Sequence, residues 1–252
     1  MAETLLITAL GGVIVGLLLT VFGGGGSVLA TPWLLYAVGV ADAHIAIGTS
    51  AAAVAVNAAT GLAVQARAGR VKWPCATVFA VAGLAGSLIG AHFGKQMDGA
   101  HLVKWFAIAM IAIAISMVIP RKSEGDPSVH LQPDMVLKLA PVGLVAGLAA
   151  GFFGIGGGFL IAPGLMASTG MTLANAAASS LVSVTLFGGA TSTSYALSGQ
   201  VDWALFAALV AGGAIGALFG APVSRWLASR IAVARFGFAG FVVAVAIYIL
   251  LR

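Results

Sequence analysis

Charge is what this sequence has least of. Only 8% of its 252 residues are charged, while 61% are hydrophobic. A soluble domain carries about 25% charged residues, so this chain has too few to cover a water-exposed surface. Long stretches carry no charge at all: 4–41, 43–66, 73–94 and 139–201 hold no Asp, Glu, Lys or Arg. A membrane helix needs about 20 mostly apolar residues. Each stretch therefore holds at least one span, and the last holds more.

The remaining scarcities narrow the chemistry. Cys75 is the only cysteine, which excludes an intrachain disulfide and a cysteine metal cluster. The seven acids, Glu3, Asp42, Asp98, Glu124, Asp126, Asp134 and Asp202, all fall at segment ends or in loops. Proton-driven pumps usually keep an ionisable group inside the bilayer. Here only His44 and His92 come near, and both read as interfacial or packed histidines. The absence of interior acids favours an anion over a cation. No metal, no cofactor and no catalytic constellation is expected, so the chain does not read as an enzyme. The net charge of +5 would point a soluble protein towards nucleic acid. Here the basic residues flank apolar segments, where they orient helices in the lipid bilayer, and no nucleic-acid partner is expected.

What is present occurs twice. Residues 22–32 read FGGGGSVLATP and residues 153–163 read FGIGGGFLIAP, an offset of 131. Further along the offset is 130: Thr49-Ser50 falls on Ser179-Ser180, Gly69 on Gly199, Trp73 on Trp203, and Gly86 and Gly90 on Gly216 and Gly220. The fold expected is an all-α polytopic membrane protein of about eight to ten hydrophobic segments. Its units are a first repeat over 1–120, a polar loop over 121–137 and a second repeat over 138–252. The loop after the third segment is basic in the first half (Arg67, Arg70, Lys72) but carries only Asp202 in the second. The following loop reverses the bias, with Lys95 and Asp98 against Arg225 and Arg230. Equivalent loops on opposite faces are the mark of inverted repeats.

Two features point to a site. The glycine runs Gly23–Gly26 and Gly154–Gly158 interrupt apolar segments, with Pro32 and Pro163 following each. Glycine weakens a helix by about 1 kcal/mol per residue relative to alanine. Backbone left free in a bilayer must find partners in protein or a water-filled cavity. A break followed by a new helix start aims N–H groups inward and makes an anion site without a charged side chain. Gly24, Gly25, Gly26 and Ser27 in one half, and Gly156, Gly157 and Gly158 in the other, are the candidate backbone donors. Gly23, Pro32, Gly154 and Pro163 are the candidate hinges. No Lys-Ser/Thr follows the glycines, which excludes a phosphate loop.

The third segments are the second feature. They carry Thr49, Ser50, Asn57 and Thr60 in one half and Ser179, Ser180, Ser183, Thr185, Thr191 and Ser192 in the other. Thr49, Ser50, Ser179 and Ser180 are candidate hydroxyl ligands, though such groups also bond back to their own helix carbonyls. Asn57 is expected to bind either substrate or a neighbouring helix. Gly86, Gly90 and Gly94, and Gly212, Gly216 and Gly220, have the spacing of close helix–helix seams.

With FGGGGSVLATP followed by Gly48-Thr49-Ser50, and FGIGGGFLIAP followed by Ala178-Ser179-Ser180, the chain resembles the TauE/SafE sulfite exporter family, also called the 4-toluene sulfonate uptake permease family. The second copy departs from the pattern with Ser179 in place of Thr and Ile155 among its glycines. The resemblance implies a secondary transporter in the inner membrane. It implies sulfite, an organosulfonate or a related sulfur oxyanion as the small anionic substrate. A passive anion channel and a carrier of small carboxylates stay open as alternatives, as does a homo-oligomer.

Overall fold

Sequences this apolar leave the backbone no solvent to bond with, so helices are the expected solution. The computed structural model describes residues 2–118, 125–154, 158–227 and 231–251, and they are helical almost throughout. No strand occurs among them; Asp126 and Met171 form an isolated bridge. The elements run α1 (Ala2–Phe22), a 3-10 segment (Gly23–Leu29), a short α2 (Ala30–Pro32), a π-helical segment (Trp33–Val38), α3 (Ala43–Arg67), α4 (Trp73–Gln96) and α5 (Gly99–Val118). Then follow α6 (Pro133–Phe153), α7 (Gly158–Thr169), α8 (Leu173–Ala196), α9 (Trp203–Leu227) and α10 (Ile231–Leu250). Six helices among the described residues are long and apolar enough to cross a membrane, and Gly26–Val38, Gly99–Ala112 and Leu160–Thr169 are shorter apolar helices. The chain is a multi-pass, all-α membrane protein.

The seam glycines meet carbonyls. On α4, a Cβ at Gly86 would strike the Leu144 carbonyl and one at Gly90 the Leu148 carbonyl, both on α6. On α9, Gly212 and Gly216 lie against the Ala9 and Val13 carbonyls of α1. In both pairs the contact residues advance together, so α4 runs parallel to α6, and α1 to α9. Each pair joins a helix from one half of the chain to a helix from the other. Such approach gives the van der Waals contact that replaces hydrophobic drive in lipid.

The third segments pack directly on each other. A Cβ at Gly188 of α8 would lie 3.1 Å from the Ala51 carbonyl and from the Ala55 Cβ of α3, while Gly61 of α3 faces Leu181 of α8. As numbers rise on α3 they fall on α8, so these helices are antiparallel. Their N-termini are capped at equivalent points. The Asp42 carboxylate accepts from the His44 N–H at 2.7 Å and the Ile45 N–H at 3.4 Å, and the Thr172 hydroxyl accepts from the Asn175 N–H at 3.3 Å.

One sequence expectation is modified here. Gly23–Gly26 were expected to leave the helix broken, with free N–H groups. Instead the glycines wind into the 3-10 segment, which continues through α2. The break is concentrated in one residue, Gly23, at φ +65°, because backbone in lipid satisfies itself wherever it can. Past Pro32, which lacks an N–H, the helix loosens into its π-helical segment. Pro163 is accommodated inside α7.

Candidate functional site

Gly23 and Gly154 are the two elbows of the fold. Both adopt the left-handed conformation, φ +65° and +67°, that glycine reaches without a Cβ penalty. Each presses on the antiparallel α3–α8 pair. A Cβ on Gly23 would strike the Ala177 carbonyl of α8, and one on Gly154 would strike the Ile47 side chain of α3. Residues 47 and 177 are themselves equivalent at the 130 offset. Each glycine elbow is therefore built against the third segment of the opposite half.

The structure gives all four expected hydroxyl ligands protein partners. Thr49 Oγ1 accepts from the Asp202 N–H at 2.9 Å, and Ser179 Oγ accepts from the Lys72 N–H at 2.9 Å. These bonds are again equivalent, and each ties a third segment to the loop before the opposite half's α4 or α9. As acceptors, Thr49 and Ser179 still have a proton to donate. Ser180 Oγ accepts from the Gly24 N–H at 3.2 Å and donates to the Ala177 carbonyl at 2.8 Å. Here the structure brings two predicted site residues together across the halves. Ser50 pairs with Thr31 at 2.7 Å and reaches the Ile47 carbonyl at 3.0 Å. Ser27 donates to the Gly24 carbonyl at 2.7 Å.

Gly26 packs on the backbone of Leu18 and Leu19. Gly25 lies within the 3-10 segment and Gly158 opens α7. Gly156 and Gly157 lie outside the described residues. Asn57 is 3% exposed; its Nδ2 donates to the Leu209 carbonyl at a long 3.4 Å, and its Oδ1 has no partner. Asn57 thus makes the expected contact with a neighbouring helix and keeps a free acceptor.

A 41% identical protein of Xylella fastidiosa (strain 9a5c), a probable membrane transporter protein, aligns over 99% of this chain and 96% of its own length. The family described as sulfite exporter TauE/SafE matches residues 8–249. The chain belongs to the TauE/SafE family. It is also similar to the probable membrane transporter protein MJ0441 of Methanocaldococcus jannaschii, 31% identical over 71% of this chain and 68% of that protein. The probable membrane transporter protein YunE of Bacillus subtilis is 27% identical over 87% and 88% of the two chains. No solved structure matches. As a TauE/SafE member the chain is a membrane transporter.

Within this TauE/SafE fold, three buried groups lie outside the two motifs. The hydroxyls of Ser183, Thr191 and Tyr195 on α8 are all 0% exposed by residue and lack partners. Ser183 and Thr191 were visible in sequence only as polar content of the third segment. Tyr195 gave no signal beyond being an aromatic near a helix end.

Proposed function

We propose that this transporter carries a small oxyanion, of the sulfite or organosulfonate class, by alternating access between two inverted repeats in the inner membrane. The reading rests above all on the paired elbows, Gly23 against Ala177 and Gly154 against Ile47. They set two helix breaks from corresponding positions against one antiparallel helix pair, which is where broken-helix carriers bind. The helix exchange is what an in-plane two-fold axis would generate: α1 with α9, α4 with α6, α3 antiparallel to α8. An odd number of spans per half is then required. The basic end of the α3–α8 pair, near Arg67, Arg70 and Lys72, faces the cytoplasm under the positive-inside rule. The end with Asp42, Asp98 and Asp202 faces outward, as do both termini.

The anion preference follows from donors without acids. Thr49 and Ser179 have hydroxyl protons to give, and the described interior holds amides, hydroxyls and backbone N–H groups. The sulfur chemistry comes from the family description. The α1–α9 pair rocking against the α4–α6 pair, with each glycine seam moving as a unit, would expose the space between them to each face in turn.

The test is flux in liposomes holding the purified protein. Radiolabelled sulfite should enter with saturable kinetics and accelerate when unlabelled sulfite is loaded on the far side. Flux that rises without saturating would replace the carrier with a channel. No flux of sulfite, methanesulfonate or taurine would end the reading.

A further inference from the structure

The outward end of the α3–α8 pair holds polar atoms that nothing in the fold satisfies. Tyr195 is among the largest fully buried side chains, and its hydroxyl has no partner. Thr191, one helical turn earlier on the same face of α8, is also fully buried with an unpartnered hydroxyl. His44 Nδ1, in the first turn of α3, is buried and unpartnered, and its ring lies 6.2 Å from the Tyr195 ring, centre to centre. Gln200, in the α8–α9 turn, contributes a fourth unpartnered atom, Oε1. Gly48, one turn along from His44, is what lets these pieces close up. A Cβ there would strike the Gln200 carbonyl and come within 2.8 Å of the Tyr195 Cβ.

Leaving one buried polar group unbonded costs about 1–3 kcal/mol. Four such atoms from three elements at this end of the helix pair call for an occupant. The cluster has no counterpart at the other end of the helix pair. The residues equivalent to Tyr195, Thr191, Gln200 and His44 are Gln65, Gly61, Arg70 and Ala174. An intrinsic need of the helix pair would appear at both ends, so the cluster is specific to one face.

We propose that Tyr195, Thr191, His44 and Gln200 form an outward-facing subsite for the transported oxyanion; this rests on the carrier reading above. The two hydroxyls and the imidazole N–H donate to the ligand's oxygens. The Gln200 amide can turn its nitrogen to the ligand as readily as its oxygen, since the two ends are nearly isosteric. Lys95 adds positive charge at this end of α8: its ammonium donates to the Ser194 carbonyl at 3.1 Å and to the Ser198 hydroxyl, just past the helix, at 3.2 Å. The Asp42 carboxylate, on the same side, is occupied with the first N–H groups of α3.

The experiment measures sulfite transport by Tyr195→Phe and Thr191→Val in vesicles of each orientation. These substitutions remove a hydroxyl and keep the shape. With sulfite presented to the outward face, each should raise KM about tenfold, the loss of one charge-assisted hydrogen bond. With sulfite presented to the cytoplasmic face, KM should stay within about twofold. The ligand-free melting temperature should not fall, because the lost hydroxyls were unsatisfied. An unchanged outward KM in both variants overturns the subsite and leaves an ordered water as the occupant, with the carrier reading intact. KM raised equally from both faces also overturns it, because damage to the whole fold would do that. If Tyr195→Phe fails to fold, Thr191→Val decides alone. Absence of sulfite, methanesulfonate and taurine transport in the unaltered protein removes the carrier reading and the subsite with it.

Discussion

Gly83 and Gly213 occupy equivalent points on α4 and α9, and what faces them differs in kind. A Cβ on Gly83 would meet the ring of Phe187, and a Cβ on Gly213 would meet the amide of Asn57. Phe187 and Asn57 are equivalent as well. The ring is fully buried in an apolar cluster with Phe79, Leu181 and Val184. The amide is nearly as buried, yet it holds one long bond and an unpartnered oxygen. The same backbone frame is thus filled with a ring on one side of the α3–α8 pair and an amide on the other. The duplication preserves the scaffold. The polar filling is free to differ, and a carrier needs such differences if its two faces are to handle substrate unequally.

The hardest blow to this comparison would fall on the scaffold itself. Gly86→Leu and Gly216→Leu put side chains into the Leu144 and Val13 carbonyls at equivalent points of the two seams. Backbone cannot yield as a flexible side chain can. Both variants are expected to lose the monodisperse folded peak in detergent chromatography, a cost above about 4 kcal/mol. Survival of one variant would mean that only one seam is indispensable. Next in size is the filling. Phe187→Ala should cost about 3–5 kcal/mol through the cavity left in the core. Asn57→Leu should leave the melting temperature unchanged or raise it, because it removes an unsatisfied oxygen, while cutting sulfite flux at least about fivefold. A large stability loss in Asn57→Leu would make the amide a helix clasp instead.

The scaffold was legible in the sequence and the filling was not, for a physical reason. Close helix approach demands small residues, so Gly86, Gly90, Gly212 and Gly216 announced seams before any partner was known. The spacing did not say that each seam would join opposite halves, because a glycine ridge fits any ridge of suitable shape. Gly23 and Gly154 were visible as breaks, but not as left-handed elbows, and nothing local showed that Gly23 would lead straight into a 3-10 segment. Thr49 and Ser179 were readable as hydroxyls deep in helices. That each would accept from a loop N–H of the other half depends on tertiary closure, which no local pattern records. Tyr195 and Gln200 looked like ordinary residues near a helix end, since their lack of partners exists only once α3 lies beside them.

The two elbows offer a finer test. Gly23→Ala and Gly154→Ala each force alanine into the left-handed region, about 1 kcal/mol in itself. Beyond that strain they part company. Gly23 meets the Ala177 carbonyl, which is backbone, and Gly154 meets the branched end of Ile47. Adding Ile47→Ala should therefore recover part of the Gly154→Ala loss, with a coupling of about 1 kcal/mol in thermal melts. It should recover nothing for Gly23→Ala. No rescue of either variant would mean that the elbows fail through strain alone, and the cross-half contact at Ile47 would lose its role.

The smallest expected effect concerns the caps, where the ends of the α3–α8 pair differ by one charge. Asp42 caps α3 beside the Tyr195 cluster, and Thr172 caps α8 at the far end. Either residue replaced by alanine should cost about 1 kcal/mol. Asp42→Thr keeps a capping oxygen while removing the negative charge two residues before His44. Stability should then change little, whereas an anion arriving from the outward face should meet less repulsion. A fall in outward KM of about twofold is expected, the scale of an exposed charge interaction, and it should shrink as salt is raised. Thr172→Asp, the mirror substitution, should leave the outward KM unchanged, because the charge it adds lies at the opposite end of the pair. Equal responses to the two substitutions would show that the added or removed charge acts through the whole protein's field, and the contrast between the two ends would then carry no information about where the anion first binds.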